Sequence, residues 1–226
     1  MRQSIPAEPI GHNARYRPPV TIGRPVTPLQ FTLVRHGQTS YNAAGRLNGD
    51  PSVPVHLDEV GRAQCAERAV ALRAQPFDRA VHTPFVRTQE SLDILLAGRA
   101  VPRVCIAELG DVRLGVFEGR PVRDYRRWRA GHSAADPPTG GESRIDALMR
   151  YVAGAERLLE LEGRAVLAVL HDVPIRFIAN AAHGDDPIDG PITHVANMQV
   201  IELDAPALAD AIAVMRARIA PASTNV

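Results

Sequence analysis

From Gln30 onward the chain alternates short, wholly apolar runs with longer amphipathic stretches. Residues 31–34 form such a run, closed by Arg35-His36-Gly37. Its shortness and the glycine behind it predict a buried strand feeding a loop. Residues 77–82, 101–106, 165–170 and 198–203 predict four further strands. The stretches between them read as helices. Residues 60–73 have Asp58 as an N-cap and Ala66, Val70 and Leu72 as an inward face. Pro84 suits the start of a helix through Leu96. Residues 121–130 predict a short basic helix, and 131–141 a Gly- and Pro-rich loop. A long amphipathic helix over 143–161 carries Ile145, Leu148, Met149, Val152, Ala155 and Leu158 at helical spacing. Residues 174–182 and 206–219 complete the set, the last without an evident role.

Strands alternating with helices predict an α/β fold: a three-layer sandwich with a mostly parallel central sheet and helices on both faces. In such sheets ligands gather beyond the carboxyl ends of the strands. Arg35-His36 and His171 each follow an apolar strand, so they can meet in one crevice although far apart in the chain. Residues 1–28 differ from the rest. They carry Pro6, Pro9, Pro18, Pro19, Pro25 and Pro28 with no apolar periodicity, which predicts an extended or partly disordered arm before a folded domain at 29–226. A partner-binding role for the arm is the second reading.

Composition narrows the class. At 226 residues and 45% hydrophobic the chain suits one globular domain with a substantial core, built mainly from Ala, Val, Leu and Ile because aromatics supply only 4%. A net charge of +1 argues against bulk attraction to nucleic acid or an acidic membrane. Cys65 and Cys105 lack zinc or disulfide spacing and read as free, buried thiols of a reducing compartment. No secretory signal or membrane span is evident. A cytoplasmic enzyme, monomeric or homodimeric, is the expectation.

Phosphoryl transfer needs an in-line nucleophile, positive charge around the phosphoryl oxygens and a proton for the leaving group. The chain offers candidates for each, in order: Leu33-Val34-Arg35-His36-Gly37-Gln38-Thr39-Ser40-Tyr41-Asn42; Leu57-Asp58-Glu59-Val60-Gly61-Arg62-Ala63-Gln64; His82-Thr83-Pro84-Phe85-Val86-Arg87-Thr88-Gln89-Glu90-Ser91; Gly115-Val116-Phe117-Glu118-Gly119; Gly141-Glu142-Ser143; and the strand-ending His171. Together these resemble the histidine phosphatase superfamily, also called the phosphoglycerate mutase-like family, over about residues 30 to 203. The resemblance implies a phosphoglycerate mutase-like fold and a phosphatase without cofactor or metal, acting on a small phosphorylated metabolite. His36 would be the nucleophile, attacking through one ring nitrogen while a backbone carbonyl holds the other. Arg35 and Arg87 would clamp phosphate oxygens, and His171 would add a further cationic donor. Asn42, and Thr39 with it, would contact phosphate or substrate from the first loop. Glu118 reads as structural.

The chain departs from the family's common branch at the proton donor. The eighth residue before Gly119 is Asp111 where that branch has Glu. Asp172 is a rival, because the family's acid phosphatase branch carries His-Asp where this chain has His171-Asp172. Glu108 is a third candidate if the register shifts. If Asp172 is not the acid, it would hold a loop amide or pair with an arginine; Glu108 would then be solvated. The basic cluster of Arg123, Arg126, Arg127 and Arg129, with Tyr125 and Trp128, reads as a solvated helix face, as a lid that recognises a second anionic group, or as a nucleic-acid contact that no wider basic surface supports. His12, His56, His132, His183 and His194 match no motif and read as surface or structural residues.

Three alternatives remain open at this stage. A mutase would return phosphate to its substrate. A regulatory protein would keep the pocket without turnover. A metal-dependent phosphatase would use His36, His171, Asp111 and Asp172 as ligands, although no pair has helical metal spacing.

Overall fold

Alternation along two central strands decides the layering. In β1 (Gln30–Arg35), Phe31 and Leu33 join one apolar cluster and Val34 the other; in β4 (Ala165–Leu170), Val166, Ala168 and Leu170 part from Leu167 and Val169 in the same way. Both faces are therefore apolar, and each needs a covering layer. The computed structural model describes residues 28–220. The arm expected at 1–28 lies outside the described residues except for Pro28, as do the last six residues.

The sheet has five strands in the order β3-β2-β4-β1-β5, with β2 at Arg79–His82, β3 at Arg103–Cys105 and β5 at Val200–Asp204. All pairings are parallel except that of β5 with β1, which is antiparallel at one edge. Helices α2 (Glu59–Leu72) and α3 (Val86–Leu96) cover one face. Helices α5 (Arg144–Leu159), α6 (Asp172–Ala182) and α7 (Ala205–Ile219) cover the other. The expected three-layer α/β fold is the observed one. No helix among the described residues is long and apolar enough to cross a membrane.

Local signals account for the helix starts. Asp58 Oδ1 accepts from the Gly61 amide at 2.7 Å, capping α2 as its sequence predicts. Ser143 and Asp146 form a reciprocal capping box on α5. The segment without an evident role, α7, packs Leu208, Ala211, Ile212 and Met215 into the α5–α6 cluster. Burial of such leucine and isoleucine side chains stabilises by about 1.5–3 kcal/mol each.

Several inward-facing assignments are corrected. On α2 the buried residues are Gly61, Cys65 and Leu72, while Ala66 and Val70 face solvent. Met149 on α5 is 46% exposed. The helix expected from Pro84 begins at Val86, because residues 83–85 turn to bring Phe85 and Arg87 into the crevice. Cys65 is buried, but Cys105 is exposed.

Two glycines explain why the first two motifs must meet. A Cβ on Gly37 would lie 2.7 Å from the Gly61 carbonyl oxygen, and one on Gly61 would lie 2.0 Å from that of Gln38. The loop after β1 is thus pressed directly onto the first turn of α2, leaving no room for any side chain at either position.

Candidate active site

Parallel pairing of β1 with β4 sets Arg35 opposite Leu170, so both strands end level. The His36 amide then donates to the Leu170 carbonyl at 3.0 Å. That register delivers His36 and His171 to one place, with ring centroids 5.3 Å apart. The second residue of α3, Arg87, closes the group: its Nε donates to His36 Nε2 at 3.1 Å.

The tautomer of each ring follows from its partners. His36 Nδ1 donates to the Gly37 carbonyl at 2.7 Å, so Nε2 carries the lone pair. The backbone carbonyl expected from the sequence is that of the next residue. His171 Nδ1 faces Arg87 Nη2 at 3.2 Å. A guanidinium cannot accept, so Nδ1 is the acceptor and Nε2–H donates to Thr83 Oγ1 at 2.9 Å. The Phe85 ring meets His171 edge-on and underlies the Arg87 guanidinium.

Burial, reinforced by neighbouring arginines, holds both histidines well below their ordinary pKa. His36 is therefore neutral, with its Nε2 lone pair available. His171 is also neutral and fully buried behind Arg87, which corrects the expectation of a cationic donor. Desolvation and three nearby cations, Arg87, Arg35 and Arg150, all oppose its protonation. Folding stability should respond. Below about pH 6.5 the unfolded chain protonates these rings and the folded chain does not, so stability is complete above that pH and falls as pH drops. Each ring contributes a slope of about 1.4 kcal/mol per pH unit. Urea midpoints at pH 7 and pH 5 check this; equal midpoints would mean that the rings charge inside the fold.

Arg87 is held from four sides. Nη1 and Nη2 donate to the Asn48 side-chain and backbone oxygens at 2.5 and 3.0 Å, and Nη2 also reaches Asp111 Oδ2 at 3.1 Å. Burial lowers its pKa to about 10, leaving it charged at neutral pH. Asn48 is in turn fixed by Glu118, which accepts from Asn48 Nδ2 at 2.9 Å and from the Gly49 amide at 2.7 Å. Glu118 thus acts on Arg87 through Asn48, an arrangement that fits its structural reading. Arg35 donates Nη1 to the Val195 carbonyl at 2.6 Å, while its buried Nε has no partner among the described residues.

The three candidate acids separate by position. Asp111 lines the cavity, contacts Arg87 and lies 3.7 Å from His171 Nδ1. Burial raises its pKa despite the opposing pull of Arg87. Arg150 fixes this loop by donating to the carbonyls of Glu108, Gly110 and Asp111. Asp172 also lines the cavity, but its oxygens engage the Val195 amide at 2.7 Å and His194 at 3.3 Å. It holds a loop amide, as its non-catalytic reading requires. Glu108 is turned onto Arg157 at 2.5 Å, away from the cavity, and is paired instead of solvated.

Thr39 and Asn42 cap the short helix α1 (Ser40–Ala43), each side chain accepting from the other's amide. Both also line the cavity. Among the unmatched histidines, His56 pairs with Glu90, His132 stacks on Trp128, and His183 binds the Ala179 carbonyl. His194 differs: it lines the cavity beside Asp172 and Arg35. His12 lies outside the described residues. Sequence reading missed Asn48, Thr83, Phe85, Arg150 and Asn197, whose Nδ2 donates to the His36 carbonyl at 2.8 Å. Only Thr83 and Phe85 sat inside a recognised motif.

The cavity measures about 390 Å³. Helix α4 (Val122–Arg129) forms one wall, anchored by the packing of Tyr125 and Trp128 on Phe117. Its Val122, Tyr125, Arg126 and Arg129 face the cavity; Arg123 and Arg127 do not. The basic cluster is thus part solvated face and part cavity wall.

A profile of the histidine phosphatase superfamily (branch 1) matches residues 31–212, and the chain belongs to that superfamily. It is 31% identical over 163 residues to the adenosylcobalamin/α-ribazole phosphatase of Salmonella typhimurium, spanning 63% of this chain and 77% of that protein. It is also 31% identical over 156 residues to a probable phosphoglycerate mutase of Yersinia pestis, spanning 65% and 71%. The crystal structure of the α-ribazole phosphatase from Shigella flexneri shares the fold, with a TM-score of 0.65 at 22% identity over 78% of this chain and 90% of that one.

Proposed function

We propose that this protein hydrolyses a small phosphomonoester through a phosphohistidine at His36, with Asp111 as the proton donor. One observation carries the reading: His36 is neutral, its Nδ1 is tied to a carbonyl, and its Nε2 lone pair lies against Arg87 in a cavity shared with Arg35 and Asp111. In the first step Nε2 attacks phosphorus. The ester P–O bond breaks, its electron pair goes to the leaving oxygen, and that oxygen takes the Asp111 proton. In the second step water attacks phosphorus and gives a proton to the Asp111 carboxylate, and the N–P bond breaks to free His36. Arg35 and Arg87 donate to the phosphoryl oxygens throughout. His171 and Asn48 position Arg87.

Two features favour Asp111 over Asp172. Its carboxyl lies on the Arg87–His171 side of the site, and burial already shifts its pKa toward the protonated form that a donor needs. Turnover should fall as pH climbs through the pKa of this acid. Asp111→Asn should flatten that basic limb and slow alkyl phosphates more than p-nitrophenyl phosphate, whose leaving group needs no proton. Equal losses on both substrates would move the role to Asp172. Release of inorganic phosphate, as opposed to its appearance on an added acceptor, separates hydrolase from mutase.

A further inference from the structure

The cavity is far more basic than the molecule. Seven arginines and only two aspartates line it, in a chain of net charge +1. The transfer site uses Arg35 and Arg87. A second group lies where α4, α5 and α6 meet: Arg129 near the end of α4, Arg144 at the first position of α5, and Arg176 on α6.

These three arginines line the same cavity. Burial lowers the pKa of Arg176; the Asp172 carboxylate opposes that shift, and the charges of Arg129 and Arg144 add to it. The same three cations act on Tyr125, which lies among them. Two carboxylates offset part of this charge: Asp172 acts on Arg176, and Asp189 on Arg144. Arg144 reaches Asp189, an exposed carboxylate, at 2.9 Å. Arg176 gives Nη1 to the Thr193 carbonyl at 2.9 Å and leaves its buried Nε without a partner among the described residues. Arg129 has no carboxylate partner among them. A concentration of like charge in a partly desolvated wall raises the local concentration of anionic ligands.

We propose that the natural substrate carries a second anionic group, a carboxylate or a second phosphate, which docks on Arg129, Arg144 and Arg176 while its phosphomonoester lies on His36. This rests on the phosphatase reading and specifies its substrate class. A cavity of about 390 Å³ accommodates more than a phosphate, and the apolar walls of Leu114 and Phe177 suit a short carbon skeleton between the two anions.

Matched substrates test it. Glycerol 3-phosphate and 3-phosphoglycerate differ in a hydroxymethyl against a carboxylate; fructose 6-phosphate and fructose 1,6-bisphosphate differ in a second phosphate. In at least one pair kcat/KM should favour the doubly anionic member by about ten- to a hundredfold, and the pair that does so tells carboxylate from phosphate. Arg129→Ala, on a surface helix, should shrink that preference at least fivefold, mostly through KM. Arg144→Ala is the second variant, with thermal melts confirming that both fold. Equal kcat/KM within both pairs, or a preference that survives both substitutions, overturns the proposal. If no phosphomonoester is turned over, p-nitrophenyl phosphate included, the phosphatase reading fails instead. Calorimetric affinity of His36→Ala protein for the same pairs then decides the subsite alone: tighter binding of the doubly anionic members supports it, and equal binding sinks it.

Discussion

Replacing His36 with alanine should lower turnover by roughly 10⁴-fold or more, because no other group near the phosphorus position can form the covalent intermediate. Of the other side chains at the site, Arg35 and Arg87 are charged and not nucleophilic, His171 has its Nδ1 occupied by Arg87, Asp111 is the proposed acid, and Asp172 and His194 engage each other. Rapid quenching of wild-type protein with labelled substrate should trap one acid-labile, base-stable phosphate per chain, and the variant should trap none. Activity above about one per cent of wild type in the variant would remove His36 from the chemistry.

The second large effect is at Arg87. Its fork contacts His36, Asn48, Asp111 and His171 at once. Arg87→Ala deletes a preorganised donor, a change that typically lowers kcat by about 10²–10³-fold. It also strands Asn48 and Asp111, which should cost about 1–3 kcal/mol of stability for each polar group left unpaired. Arg87→Lys restores the charge but not the planar fork, so it should recover less than about tenfold of the lost rate. A mere twofold loss in the alanine variant would contradict the clamp. Steady-state kinetics with denaturant melts separate the two effects.

His36, Arg35, Arg87 and the strand-ending His171, which the fold brings together, were all legible in the chain as candidates. Each sits in a local pattern that also builds the backbone: an apolar strand ending in Arg35-His36, the α3 helix entry around Arg87, an apolar strand ending in His171. Asp58 could be read as a cap for the same reason, since capping is settled within four residues. The layers followed too, because alternating elements of this length have few ways to bury their apolar faces.

What local pattern could not supply was the identity of each neighbour. Nothing around Asn48 marks it as the seat of Arg87, and nothing around Arg150 marks it as the brace of the Asp111 loop; those contacts exist only once distant segments meet. The choice among Asp111, Asp172 and Glu108 depends on what each carboxyl meets: Arg87 and His171 for Asp111, the Val195 amide and His194 for Asp172, and Arg157 for Glu108. The charge on His171 depends on burial and on three neighbouring cations. Covalent order and hydrophobic periodicity determined the scaffold and its chemical inventory. Desolvation and through-space charge, properties of the folded arrangement, decided protonation, orientation and which arginines of α4 look inward.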